Sequence, residues 1–305
     1  MTKSKYKYLL IVNPAGGSGR TMKALPEIEA TFRKHGMKYE FHFTQEPMHA
    51  VDLVKELADD FDVVVAVGGD GTINEIINGM PEFDKPFGLI PIGTGNDFSR
   101  SCCIPYDSVE KAIDIIRTHD IKKLDLGEVN GRRFINVLGM GFEGQANAIG
   151  RKLDFIKGTI KYILAIAWAL IFYKRMRMKI ECDEKNIDDD IYLVSVGNGW
   201  NVGGGLQLTP KARMEDHVFD VCLVKDISRW RVLSNFVRLT NGTIDTLEEI
   251  EIFQTDHLKI TSTKPIPLHL DGEQLDDDRT SLEIKLIPDA QQVIGNWNDP
   301  KYLNR

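Results

Sequence analysis

The sequence predicts two architectures in succession: an α/β half built on a parallel sheet, then an antiparallel β half of sandwich or barrel type. Three observations predict this. The first 125 residues alternate apolar strand-like runs with helical stretches through short loops. After Asp125, short β-type runs separated by turn residues dominate. A length of 305 residues with 42% hydrophobic content favours about two domains, each able to bury a core.

In the first half, KYLLIV (7–12) reads as a strand, followed by a Gly/Ser loop and a helix over about 22–35. YEFHFT (39–44) leads to a helix over about 49–59. DVVVAV (62–67) leads to a glycine loop and a third helix. GLIPI (88–92) leads to a second glycine loop, then a helix over about 107–118. In a parallel sheet the loops after the strands gather at the carboxyl edge, where ligands bind. Residues 13–20, 68–72 and 93–97 are therefore expected to line one crevice. Beyond Asp125 the strand candidates are RFINVLGMG (133–141), RMKIEC (177–182), IYLVSVGN (191–198), VFDVCLV (218–224), EIEIF (249–253), HLKITS (257–262), PLHLDGE (267–273) and SLEIKLI (281–287). Two helices, about 149–175 and 228–240, interrupt them.

Composition excludes several functions. A net charge of −7 argues against a nucleic-acid partner. Cys102 and Cys103 are adjacent, while Cys182 and Cys222 stand alone, which fits neither metal-ligand spacing nor a disulfide framework and points to a reducing compartment. The apolar run Tyr8–Val12 is too short for a signal peptide. YILAIAWALIFY (162–173) is too short to span a bilayer. Its basic flanks (residues 151, 152, 157, 161, 174, 175, 177 and 179) suit docking onto anionic lipid, or else it is a core helix with solvated ends.

Chemistry concentrates in the glycine loops. Gly68-Gly69-Asp70-Gly71-Thr72 lies between a strand and a helix opening with Asn74 and Glu75. Its glycines let backbone N–H groups approach a phosphate, and the first helical turn presents unpaired amides. A carboxylate beside a phosphate repels it unless a cation intervenes or a proton is handled, so Asp70 suggests Mg-nucleotide chemistry; the alternative is a helix cap. Asn13-Pro14-Ala15-Gly16-Gly17-Ser18-Gly19-Arg20 is a second anion loop with Arg20 in reach of a phosphate oxygen, and it lacks the Walker A spacing. Pro91-Ile92-Gly93-Thr94-Gly95-Asn96-Asp97 offers amides, a hydroxyl, an amide side chain and a second acid.

These three motifs, in this order and spacing, resemble the diacylglycerol kinase catalytic-domain family of soluble lipid kinases, which includes sphingosine and ceramide kinases. Gly139-Met140-Gly141-Phe142, Gly197-Asn198-Gly199 with Gly203 to Gly205 and Leu208-Thr209-Pro210, and Asp271-Gly272-Glu273 extend the resemblance over nearly the whole chain. The resemblance implies a phosphofructokinase-like nucleotide domain over 1–126 plus a return at about 288–305, and a β-sandwich lipid domain over 127–287. The active site is expected in the cleft between them. It implies ATP and Mg²⁺, with Asn13, Gly17, Arg20, Gly68, Gly69, Gly71, Thr72, Glu75, Gly93, Thr94, Asn96 and Asp97 around the nucleotide. Asp70 acts with Mg²⁺, Asp125 matches an acid near the domain junction, and Glu273 accepts the proton of the lipid hydroxyl. Glu215, Asp216 and the Val218 carbonyl resemble a structural Mg²⁺ site, but His217 stands where the family tends to have glycine, which puts the loop geometry in question. The expected activity is phosphorylation of a membrane lipid, diacylglycerol first, by a cytoplasmic protein transiently at the inner face of the membrane. A homodimer is left open. The alternatives are an NAD kinase, which shares Gly-Gly-Asp-Gly-Thr, and a catalytically silent lipid-binding regulator.

Overall fold

The computed structural model describes residues 5–80, 85–153, 159–275 and 278–303. They form two packed units, Met1–Asp125 with Pro288–Arg305, and Leu126–Ile287.

The first unit runs β1 (Lys7–Val12), α1 (Gly16–Lys34), β2 (Lys38–Phe43), α2 (His49–Leu57), β3 (Val63–Gly68), α3 (Asp70–Gly79), β4 (Phe87–Pro91), α4 (Asp97–Ser101) and α5 (Val109–Thr118), then enters β5 (Ile121–Val129). Strand order is β2-β1-β3-β4, all parallel. Val63 to Gly68 are buried on both faces, as expected of a central parallel strand covered by helices. Val12 pairs with Val67 and Gly68 with Pro91. The three strands thus end level, and the three glycine loops leave from one sheet edge, as the strand–loop pattern predicts. α1 opens irregularly: Gly17, Ser18 and Gly19 have φ of 56°, 58° and 83°, so regular helix begins only at Arg20.

The second unit continues with β6 (Arg132–Phe134), β7 (Val137–Gly141), α6 (Phe142–Lys152), α7 (Thr159–Phe172), β8 (Met176–Glu181), β9 (Asn186–Ile191), β10 (Leu193–Gly197), β11 (Phe219–Val224), α8 (Arg229–Ser234), α9 (Phe236–Asn241), β12 (Ile250–Thr255), β13 (His257–Ser262), β14 (Leu268–Leu270), β15 (Glu273–Gln274) and the start of β16 (Ser281–Ile294); α10 (Pro300–Leu303) closes the chain. One antiparallel sheet has the order β12-β11-β10-β7-β14-β15. The other joins β16 to β13, β8 and β9, and pairs β5 with β6. Alternate residues from both sheets fill one core: Leu138, Met140, Val194, Val196, Phe219 and Val221 meet Phe134, Met178, Ile180, Leu258, Ile260 and Ile284. This is the sandwich that the turn-separated β runs predict.

Several boundaries differ from the sequence reading, each for a local reason. The run 133–141 is two strands in different sheets, β6 and β7, broken at Ile135 and Asn136. The helix over 149–175 is α6 and α7; residues 154–158, with Asp154 and Lys157, lie outside the described residues. The helix over 228–240 is α8 and α9, separated where Asn235 leaves helical geometry at φ −108°, ψ 11°. The run 281–287 continues as β16, whose last part returns to the first unit with Val293 parallel to Phe87 of β4. β9 carries no continuous apolar alternation, because Asp189 takes an inward position between Ile187 and Ile191 while Asn186, Asp188 and Asp190 are exposed.

Candidate functional site

In the first unit the three glycine loops touch. A side chain on Gly69 would meet the Gly93 Cα at 2.9 Å, and one on Gly16 the Gly68 Cα at 3.6 Å. One on Gly17 would run into the Ile92 carbonyl. Glycine at 69 and 93 is therefore a packing requirement between loops, besides leaving amides accessible. Polar side chains stitch the loops together. Asn13 Nδ2 donates to Thr72 Oγ1 at 3.2 Å, while Asn13 Oδ1 accepts from Ala15 N–H at 3.0 Å. Arg20 Nε donates to the Gly17 carbonyl and Nη2 to the Gly93 carbonyl, both at 2.9 Å. Asn96 Nδ2 donates to the same Gly93 carbonyl at 3.0 Å.

The acids come together on this frame. Asp70 Oδ1 accepts the Phe98 N–H at 3.1 Å, so Asp70 caps α4 rather than its own helix. Asp70 Oδ2 and Asp97 Oδ2 each lie 3.1 Å from where a Cβ on Gly95 would sit. The two oxygens are thus no farther apart than twice that distance, on one side of a half-buried loop. Two carboxylates so close repel each other unless a cation lies with them. The donor set is all oxygen, which suits Mg²⁺. Among the expected nucleotide residues, Asp97 lies with Asp70 at Gly95, Thr94 is exposed and Gly71 is half-buried. Thr72 is buried and holds Asn13, and Glu75 Oε2 accepts the Ala50 N–H of α2 at 3.2 Å, joining α2 to α3. Asp125 is fully buried and its Oδ1 accepts the Asp289 N–H at 2.9 Å.

In the second unit Glu273 follows a tight turn in which Asp271 and Gly272 have φ of 50° and 86°. Glu273 itself is exposed on β15, opposite Leu270. The turn is clamped. The Asp271 carboxylate accepts the N–H groups of Ile135, Asn136 and Val137 at 3.0, 2.8 and 3.0 Å. Those are the amides at the break between β6 and β7, so this acid satisfies donors that the break takes out of the sheet ladders. The glycine-rich segments of this unit brace the same point. Asn198 and Gly199 N–H donate to the Asn136 carbonyl at 2.9 and 2.7 Å, and a side chain on Gly197 would collide with Thr209.

The loop before β11 carries the proposed structural metal residues. Asp216 is exposed, and its Oδ1 lies 3.4 Å from the Val218 N–H. Glu215 Oε1 pairs with Arg213 Nη2 at 3.1 Å. His217 adopts φ 64° itself, so the loop keeps the left-handed turn that a glycine would supply. Burial pushes the Asp220 carboxyl up to about 6, with Asp216 adding to the rise and a Gln254 hydrogen bond opposing it. Asp220 Oδ2 is buried with no partner among the described residues. An orphaned carboxylate oxygen beside a second acid fits a cation at this loop, with Asp220 a ligand-side group that the strand reading missed.

Glycine loops with paired acids thus stand at the edge of a parallel sheet, in a chain that also carries a β-sandwich. The diacylglycerol kinase catalytic domain family matches residues 7–129, and the YegS C-terminal NAD kinase beta sandwich-like domain matches residues 136–295. A diacylglycerol kinase of Bacillus subtilis (strain 168) is 31% identical over 272 residues, 87% of this chain and 88% of that one. One from Staphylococcus aureus (strain bovine RF122 / ET3-1) is 30% identical over 271 residues, 87% and 85% of the two chains. The crystal structure of a diacylglycerol kinase from Bacillus anthracis str. Sterne superposes with a TM-score of 0.75 at 26% identity, covering 96% of this chain and 99% of that one. The chain belongs to the diacylglycerol kinase family and is a lipid kinase. Among the described residues no helix is long and apolar enough to cross a membrane.

Proposed function

We propose that this lipid kinase transfers the γ-phosphoryl group of ATP to the free hydroxyl of diacylglycerol, giving phosphatidic acid, with Mg²⁺ required. The observation that carries the nucleotide side is the Asp70–Asp97 pair set against Gly95 in a cradle of glycine amides. Residues 1–126 with 288–305 hold the nucleotide, and residues 127–287 hold the lipid. Magnesium on the acid pair supplies charge neutralisation on the transferring phosphate. Phosphoryl transfer asks the protein for alignment and electrostatics more than for covalent chemistry. The loop amides bind and orient the phosphates. Glu273 takes the hydroxyl proton as the O–P bond to the lipid forms and the P–O bond to the ADP leaving group breaks. The relatives' names favour diacylglycerol as the acceptor.

Transient docking on anionic membrane is part of this reading. α7 buries Ala165, Ala169 and Leu170 but exposes Leu164, Trp168, Ile171 and Phe172. Arg229 Nη2 donates to the Ile171 carbonyl at 2.6 Å and brings α8 beside it, where Trp230 is 81% exposed and Leu233 is also outward, as is Val237 of α9. Such an apolar surface suits a protein that draws its substrate from a bilayer.

The test is incubation with labelled ATP, Mg²⁺ and a panel of diacylglycerol, ceramide, sphingosine and NAD, followed by identification of the labelled product. Phosphatidic acid is expected. Labelled NADP would favour the NAD kinase reading, which the description of the family matching residues 136–295 keeps as the second candidate. Lipid binding without any labelled product would indicate a silent regulator.

A further inference from the structure

We propose that His269 and Glu143 are positioning residues that set the pose of Glu273 through the Gly272 peptide. This rests on the reading of Glu273 as the base. His269 stands on β14 with its neighbours Leu268 and Leu270 in the sandwich core, so strand alternation sends its ring to the opposite face. There it is 2% exposed. Its Nδ1 lies 3.1 Å from the Gly272 N–H and its Nε2 3.1 Å from Glu143 Oε1. A backbone N–H can only donate, so Nδ1 must be unprotonated and accept. The ring proton is therefore on Nε2 and is donated to the carboxylate. Glu143, in the first turn of α6, fixes the tautomer, and the tautomer fixes the turn.

Two further observations show that the fold makes room for this pair. A side chain on Gly139, the residue of β7 paired with His269, would collide with both Glu143 and the His269 ring. Glu143 Oε2 has no partner among the described residues, so the His269 N–H is what orients this carboxylate. The peptide that joins Gly272 to Glu273 is held too: Asn147 Nδ2 of α6 donates to the Gly272 carbonyl at 2.7 Å. Gly272 is thus gripped at its N–H by His269 and at its C=O by Asn147, while Asp271 is gripped by three amides. The residue that follows is Glu273. An exposed acid on a two-residue strand gains a defined direction only from the backbone beneath it.

The test uses the full-length enzyme and a pair of isosteres. Asn places an acceptor where Nδ1 was, and Gln places its amide where Nε2 was. His269→Gln leaves the Gly272 N–H without an acceptor and should lower kcat by about 10²-fold, the effect of misplacing a reacting group by about 1 Å. The KM for ATP should stay within a factor of about two, since the glycine loops proposed to bind it belong to the first unit. His269→Asn keeps the Gly272 contact and should lose distinctly less. Glu143→Leu, which frees the tautomer at similar volume, gives the same test should the Gln variant fail to fold. Imidazole ¹⁵N shifts should show the Nε2–H tautomer in the wild type; an Nδ1–H ring or an imidazolium at neutral pH would overturn the proposal. The decisive measurement is the double variant with Glu273→Gln. If His269 acts through Glu273, His269→Gln adds little further loss in that background; full multiplicative loss would overturn the positioning role. Should Glu273→Gln alone retain activity, it is the reading of Glu273 as the base that fails. Should Glu273→Gln lower turnover as expected while His269→Gln leaves kcat unchanged, only the positioning role fails.

Discussion

The two units prepare their chemistry in different ways. The glycine loops of the first unit, proposed to hold the nucleotide, are made from main chain, level at one edge of a parallel sheet, and each is a contiguous glycine motif. The Asp271-Gly272-Glu273 turn of the second unit is held by side-chain contacts across great sequence distance: Asp271 reaches amides 134 to 136 positions away. A phosphate can be bound by peptide groups, which any sequence supplies once glycine opens the approach. A base must hold one carboxylate in one direction, and only side chains packed from several elements do that. The first kind of site is therefore robust to single polar substitutions around it, and the second is not.

The largest effects should come from the acids themselves. Asp70→Asn retains an oxygen for the Phe98 N–H, so the fold should survive, yet half of the acid pair loses its charge. Turnover is expected to fall by at least about 10²–10³-fold. Normal activity with unchanged Mg²⁺ dependence would remove Asp70 from the mechanism. Glu273→Gln should reduce kcat by about 10²–10⁴-fold with ATP binding intact, and the residual activity should show an altered pH profile. Full activity in that variant would shift the proton-accepting role to Asp70.

The next effect separates the two construction principles. Asp271→Ala strands the buried amides of Ile135, Asn136 and Val137 and places Ala at φ 50°. The second unit should lose at least about 3 kcal/mol, seen in chemical denaturation. Asp271→Asn tolerates the left-handed turn and keeps one acceptor oxygen, so it should lose less. Removing Arg20, which bridges two loops of the first unit, should instead be mild in stability, because loop 13–20 stays tied to loop 68–72 by Asn13 and Thr72, and Asn96 closes loop 93–97 on its own Gly93 carbonyl. Equal losses for the Asp271 and Arg20 variants would erase the contrast.

Much of this was legible in the sequence, and the pattern of what was not follows the same division. The three loops, their convergence and Asp70 were readable because residues 13–20, 68–72 and 93–97 are contiguous motifs after recognisable strands. The support of Glu273 was not. Nothing local marks Glu143, Asn147 or Asn136 as partners of residues near 270, and His269 in PLHLDGE looks like one polar residue in an alternating strand. Its alternation with Leu268 and Leu270 placed it off the core face, which was the available signal. Loop residues that seemed free to meet a phosphate, Arg20 and Thr72, are engaged in holding the loops, because a glycine-rich frame needs the side chains it does carry to keep its shape.

A smaller effect concerns the exposed apolar surface of α7 and α8, proposed to dock on membrane. The basic flank of α7 is partly neutralised by Arg175–Asp226 at 3.1 Å and Arg177–Asp188 at 2.8 Å. Replacing Lys174, Arg175 and Arg177 by Gln should therefore weaken binding to anionic vesicles by less than the roughly 1 kcal/mol per charge of a bare basic patch. Trp168→Ala with Trp230→Ala should weaken it more. Unchanged vesicle binding in both sets would make these helices a surface for another partner.

The smallest effect distinguishes the units by acid. His119 ends α5 in the first unit, with its Nε2 2.8 Å from the Tyr8 hydroxyl and its ring stacked on Tyr6 at 3.9 Å. Burial lowers its pKa below the usual 6.5, nearby Lys5 lowers it further, and Asp62 opposes both. The folded state therefore holds fewer protons at this ring than the unfolded chain between the two values. Stability from this group is fully present above the unfolded pKa and is lost as pH falls through the folded one. His119→Asn accepts the left-handed φ of 50° and cannot titrate. The variant should lose less Tm than the wild type between neutral and mildly acid pH, read for the first unit by nucleotide-loop hydrogen exchange. An identical acid slope in wild type and variant would assign the acid sensitivity of that unit to other groups.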